Sequence, residues 1–251
     1  MPSPVLFDYV LRLGDDRLVL GHRLSEWCGH GPILEEDIAL ANISLDLIGE
    51  ASLLLKLAGS LESKGRTEDT LAYFRDAIEF RNALLVEFPK GDFGFTIVRQ
   101  FLFSVYSMLQ MDALQKSGNT ELAGIAAKAL KEARYHVRHS AQWVVTLGAG
   151  TDESNARAQK ALDDLWRYTG ELFSADDIDR EVAASGDGVD PSTLESAWRD
   201  QVLPVLNRAG LRVPDAGYMQ AGGRGGRHTE HLGHMLSEMQ ILARSHPGAS
   251  W

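Results

Sequence analysis

Cysteine is almost missing: Cys28 is the only one in 251 residues. A single thiol excludes an internal disulfide and any cysteine-built metal cluster. A basic surplus is missing too. The chain has 35 acidic and 25 basic side chains, a formal charge of -10, and its isoelectric point is near 5.3. A phosphate-backbone binder needs a broad basic surface, so nucleic acid is disfavoured as a partner. No stretch alternates apolar and polar residues in the manner of a half-buried strand, and no internal repeat is visible. The opening MPSPVLFDYVLRLGDD lacks a cationic region ahead of an apolar one, so no secretory leader is expected. No uninterrupted apolar run reaches about 18 residues, so no membrane span is expected either. The expected location is the cytoplasm.

What the chain does have is helical period. In Thr120–Leu147, apolar Leu122, Ile125, Ala126, Ala129, Ala133, Val137, Val144 and Leu147 recur at steps of three and four. That spacing buries one face of a long helix. Ala133 and His136 are three apart and share the buried stripe. A carboxylate at Ala133 would complete the Glu-x-x-His pair with which helical bundles hold a di-iron centre.

The remaining segments read in order. Asp15 and Asp16 open a first helix bearing Leu20, Leu24 and Trp27. Ile33–Ala58 is apolar nearly all round, with a polar line at Asn42, Asp46 and Glu50. Thr67–Phe88 reads as a third helix. Residues 93–116 read as a fourth, again apolar nearly all round; Asp152–Phe173 follows Thr120–Leu147 as a sixth. A helix apolar all round needs neighbours on every side, so part of the second and fourth is expected to be covered by another subunit. Residues 174–190 are acidic and loop-like. Asp190-Pro191 opens a helix that Pro204 bends or ends. Gly222–Arg227 is expected to be a flexible cationic loop, and Thr229 to cap a last helix. The reading is all-α, one long-helix bundle.

Candidate chemistry is sparse. Glu26, Asp46, Glu79 and His136 could meet in the bundle core, where each ionised group needs a partner. The competing reading is a satisfied polar network, since most helix-borne Asp and His are structural or solvated. Glu230, His234 and Glu238 share one helix face at four-residue steps, which is more often a solvated face than a site. The glycine loop lacks the strand–loop–helix context of a phosphate cradle. Cys28 has no partner pattern of a nucleophile.

Four segments nevertheless resemble a known family: LVLGHRLSEWCGHGP (18–32), DIALANISLDLIGEA (37–51), AKALKEARYH (127–136) and TEHLGHMLSEMQ (229–240). They closely resemble the C subunits of the ring 1,2-phenylacetyl-CoA epoxidases (the PaaC family) of the bacterial phenylacetate pathway, from Asp15 to Trp251. The resemblance implies a ferritin-like fold, a long-helix bundle with extra C-terminal helices in one domain over 1–251. It implies a structural chain paired with a homologous A subunit that holds the di-iron centre and the substrate. It also implies NADPH as electron source through a reductase subunit. From the apolar surface of the second and fourth helices, a homodimer is expected when the chain is alone.

Set against the catalytic paralogue's pattern, the first ligand glutamate falls on Glu26. The first Glu-x-x-His falls on Asp46 to Gly49, the third-helix acid near Ser104, and the second Glu-x-x-His on Ala133 to His136. Gly49, Ser104 and Ala133 are poor ligands or none. The expectation is therefore no catalytic residue, metal or cofactor in this chain, with Glu26, Asp46 and His136 neutralising one another. Arg224, Arg227 and His228 are read as contacts for a partner or for coenzyme A. The alternatives are a self-sufficient di-iron or single-metal oxygenase, for which Glu79 and Glu132 would have to turn inward, and a ferritin-like scaffold outside any oxygenase.

Overall fold

Periodic apolar residues place six long segments in helices, and their caps follow local chemistry. The computed structural model describes residues 4–215 and 217–249. Residues 1–3, 216, 250 and 251, touched by the readings of the chain ends and the 210–228 loop, lie outside the described residues. Helices run at α1 (Pro4–Ser25), α2 (Leu34–Glu62), α3 (Glu68–Tyr73), α4 (Phe93–Leu114) and α5 (Thr120–Gly148). They continue with α6 (Asp152–Trp166), α7 (Asp177–Ser185), α8 (Glu195–Arg208) and α9 (Glu230–Ser245), and no strand occurs among the described residues. The all-α reading holds. Asp92 caps α4 by accepting from the Phe95 amide, and Asn119 caps α5 by accepting from that of Leu122, which satisfies amides the first helical turn leaves open.

The long helices pack α1 on α2 and α4 on α5, with one hydrophobic cluster running through them. The α1–α2 approach is close. A Cβ added at Gly21 would stand 2.9 Å from Ile48 Cγ1, and Ser44 Oγ donates to the Gly21 carbonyl at 2.7 Å. Helix α4 is enclosed along most of its length, Ile97 through Ser107 being buried without a break. Helix α2 is not: Leu34, Ile38, Leu45 and Leu53 stay exposed. By length and composition alone α2 could cross a membrane, and half of its most apolar window is buried within the fold.

Four local readings need correction. Helix α1 starts at Pro4, and Asp15 and Asp16 lie fully buried in its middle rather than at its cap. The expected helix over Thr67–Phe88 breaks after Tyr73 into 3-10 turns at Ala77–Glu79 and Leu84–Val86. The cause is tertiary. The Arg81 amide donates to Asp15, the Ala83 amide to Asp16 and the Leu84 amide to Glu171, each at 2.7–2.8 Å. Buried carboxylates thus take the donors a helix would have used. The acidic segment 174–190 contains α7, started by an Asp176–Asp179 capping box and clamped to α1 by Arg12, which reaches Asp176 at 2.5 Å and Asp179 at 3.2 Å. Pro204 does not end α8, which runs on to Arg208. Pro204 is exposed there, so water can satisfy the carbonyl its missing N–H leaves free.

Candidate functional site

The expected remnant centre lies at the seam of α2 and α5. Asp46, Gly49 and Glu50 come from α2; Glu132, Ala133 and His136 come from α5. His136 is buried, and its Nε2 lies 3.0 Å from Asp46 Oδ2. The Asp46 side chain is 33% exposed. Gly49 and Ala133 offer no donor atoms. Ser104 is buried and accepts from Gln100 Nε2 at 2.9 Å.

Glu26, expected in the same network, is elsewhere. Arg23 Nη1 donates to it at 2.6 Å and the Lys90 amide at 3.3 Å. It sits near the end of α1, where Arg23 lies one turn before it. Glu79 is also absent from the core: it is exposed and completes the capping box of its own 3-10 turn. Glu132 lies 3.8 Å from Lys128, with Oε2 buried and unpartnered; burial and Asp46 both raise its pKa. Neither glutamate supplies the ligands the oxygenase alternative needs.

The seam holds one pair that sequence reasoning missed. Arg17 of α1 reaches Glu50 at 3.3 Å, Ser107 and Gln110 of α4 at 3.0 Å each, and its own helix at the Leu13 carbonyl. Burial pushes the Glu50 carboxyl up to about 7 despite the pull of Arg17 and His136. Glu50 was on the polar line of its helix; nothing in the local pattern marked Arg17, because its three partners come from α2 and α4. Buried negative charge here is met by a guanidinium. Among the described residues no three His, Cys, Asp or Glu side chains gather as metal ligands. The residues present do not fit a carboxylate-bridged metal pair, which needs about four acids and two histidines.

The glycine loop is the second correction. Arg224 is bound in a fork by Asp16, at 3.0 and 2.8 Å, and donates to the Arg81 carbonyl at 2.9 Å. Burial alone would lower its pKa, but Asp16, Tyr106 and Glu171 outweigh that and hold it charged. Glu171 accepts from the Gly222 amide at 2.8 Å. His228 places one ring nitrogen 2.6 Å from Glu87 and the other 2.9 Å from the Phe80 carbonyl. Thr229 gives its hydroxyl to Glu87 at 2.6 Å instead of capping α9. Only Arg227 of the three expected contact residues is exposed. Beside this loop, Arg75 forks onto Asp15 and its guanidinium lies 4.1 Å from the Phe80 ring centre. Glu230, His234 and Glu238 remain on the exposed face of α9.

Comparison with known proteins agrees with this architecture. A family described as phenylacetic acid catabolic protein matches residues 2–251. The chain is 51% identical over 243 residues to the C subunit of the 1,2-phenylacetyl-CoA epoxidase of Escherichia coli (strain K12), covering 97% of this chain and 98% of that one.

Proposed function

The chain belongs to the phenylacetic acid catabolic protein family, and from that premise we propose that it is the non-catalytic structural subunit of a phenylacetyl-CoA epoxidase. It pairs with a homologous catalytic subunit that carries the di-iron centre and the substrate. The assembled enzyme epoxidises the aromatic ring in phenylacetate catabolism, drawing electrons from NADPH through a reductase subunit, in the cytoplasm. The observation that carries this reading is the α2–α5 seam. Two ligand positions there, Gly49 and Ala133, have no donor atom, and Glu50 is matched by Arg17 instead of a metal. Such a core supports a neighbour's chemistry by holding a rigid bundle against it. The chain contributes shape and stability, and no proton or electron step is assigned to its residues.

The test is co-expression with the other subunits, with iron quantified on each separated chain. The expected result is copurification, about two irons on the catalytic chain and less than about a tenth of one on this chain. Two irons on this chain that survive chelation would overturn the proposal in favour of a self-sufficient oxygenase. Copurification with no other subunit would favour a scaffold outside any oxygenase.

A further inference from the structure

Helix α9 turns a regular stripe outward. Glu230, His234, Ser237, Ile241 and Arg244 recur at steps of four and three and are all exposed, the spacing of a helix–helix seam. Gly233 lies beside the stripe, and a Cβ there would meet nothing within 4 Å. Ile241 is 64% exposed and Leu242 53%, and around them Phe74 is 45% and Ile78 70% exposed. Helix α9 packs on α3 and on the 3-10 turn at Ala77–Glu79, so these side chains stand about one helix. Open apolar groups gathered in this way mark a contact surface, unlike surface leucines scattered singly.

A groove runs along each side of this ridge. One, of about 510 Å³, is floored by Ala77, Gly233 and Ser237 and edged by Ile241 and Arg244; the other, of about 440 Å³, lies between Tyr73 and Phe74 and the Met239 and Leu242 side chains. Ridge and groove together are what a second helix needs. The charges say which helix. Two copies at -10 each repel unless their contact is complementary. The α9 stripe begins with an acid, Glu230, and ends with a cation, Arg244. A parallel pair would set Glu230 on Glu230 and Arg244 on Arg244, which suppresses that arrangement. An antiparallel pair about a two-fold axis at Ser237 sets Glu230 against Arg244 of the second copy and Gly233 against its Ile241. It also brings His234 within reach of the second copy's Glu238. Arg244 already holds the Tyr73 and Arg75 carbonyls and the exposed Asp76, and its guanidinium has donors to spare for a second carboxylate.

We propose that the outward face of α9 is a two-fold seam between two copies of this chain, paired antiparallel at Ser237. Ile241 of each copy is the knob and Gly233 of the other its hole, while the Glu230–Arg244 and His234–Glu238 pairs set direction and register. Each contact occurs twice, as an isologous interface requires. The seam is independent of the proposed epoxidase role, since it uses only this chain's own surface. A single helix about 24 Å long makes a small interface, so the expected dissociation constant is of the order of 10 μM.

The experiment is sedimentation of the full chain alone across a concentration series. The unmodified chain should pass from monomer to dimer. Ile241→Glu and Gly233→Leu should each weaken pairing at least about tenfold. His234→Glu should weaken it by setting two acids together, and the His234→Glu/Glu238→Lys double variant should restore it by returning opposite charges across the seam. Leu45→Glu, on the exposed face of α2, is the control and should stay within about twofold. Hydrogen exchange in the unmodified chain should slow in α9 as concentration rises through the transition, which keeps the test valid if a variant fails to fold. A chain that stays monomeric at about ten times the expected dissociation constant would overturn the proposal. So would pairing that Leu45→Glu abolishes and Ile241→Glu leaves intact, with exchange slowed in α2 in place of α9. Weakening by Ile241→Glu without rescue in the double variant would overturn the antiparallel pairing.

Discussion

Two charged interiors of this chain differ in how completely they are closed. One, around Asp15, Asp16, Glu87 and Glu171, ties α1 to segments from residues 75–90 and 222–229. Its four carboxylates are buried, and each accepts from an arginine, a histidine or backbone amides. The other, at the α2–α5 seam, joins a buried histidine to a one-third exposed aspartate and leaves Glu132 Oε2 without a partner. The first looked like a loop and is a lock. The second is a modest polar contact between two helices, open to water at Asp46. A buried ion pair that is fully bonded becomes costly to break from one side, whereas a water-accessible one is screened.

Breaking the lock should give the largest effect. Arg224→Ala leaves Asp16 buried beside fewer donors and should cost about 3–5 kcal/mol, read as a shift in urea unfolding. An effect under about 1 kcal/mol would place Arg224 with the screened surface pairs.

The Arg17–Glu50 pair ties α1 to α2 and α4 and is read by pH. Glu50 titrates near 7 in the fold, above its ordinary range, so the folded chain holds a proton that the unfolded chain releases. Its contribution is full below the ordinary carboxylate range and is lost as pH rises through about 7, by up to about 3 kcal/mol. Melting temperature should therefore fall between pH 5 and 8, and Glu50→Gln should flatten that slope. An unchanged slope would show that water reaches Glu50.

Backbone closeness in the lock should matter somewhat less. A Cβ at Gly223 would stand 2.1 Å from the Asn82 carbonyl oxygen, so Gly223→Ala should cost about 2 kcal/mol by forcing the loop off the 82–84 turn. A neutral substitution, measured by thermal unfolding, would mean the loop can shift.

The smallest effect belongs to the seam. Asp46→Ala should cost only about 1 kcal/mol, because a third of the aspartate side chain faces solvent. Measured against Arg224→Ala in the same denaturant series, it should always be the milder change. The reverse ranking would mean that the seam is the better-closed interior.

The long helices were legible because their signals are local. Asn119, Asp92 and Thr151 cap α5, α4 and α6 as their residue types suggest, and three-to-four spacing marked the buried stripe through Ala133 and His136. At the candidate site, the pairing of Asp46 with His136 was readable from inward faces on two such helices. Glu26 was misplaced because a carboxylate three residues from an arginine has a closer partner than the core. Arg17 went unseen because its partners come from helices α2 and α4.

Sequence alone determined the all-α class, the places where α2, α4 and α5 begin, and the donor-free positions Gly49 and Ala133. These follow from side-chain period, cap chemistry and residue identity, none of which needs a distant neighbour. Tertiary structure alone decided that Asp15 and Asp16 are interior counter-charges, that residues 76–88 are turns rather than helix, and that Arg224 is locked. It also decided that α4 is enclosed while α2 keeps an open face. The reason is that buried carboxylates choose their donors by proximity in the folded chain, and amides near residue 83 lie closer to those carboxylates than to a helical carbonyl of their own.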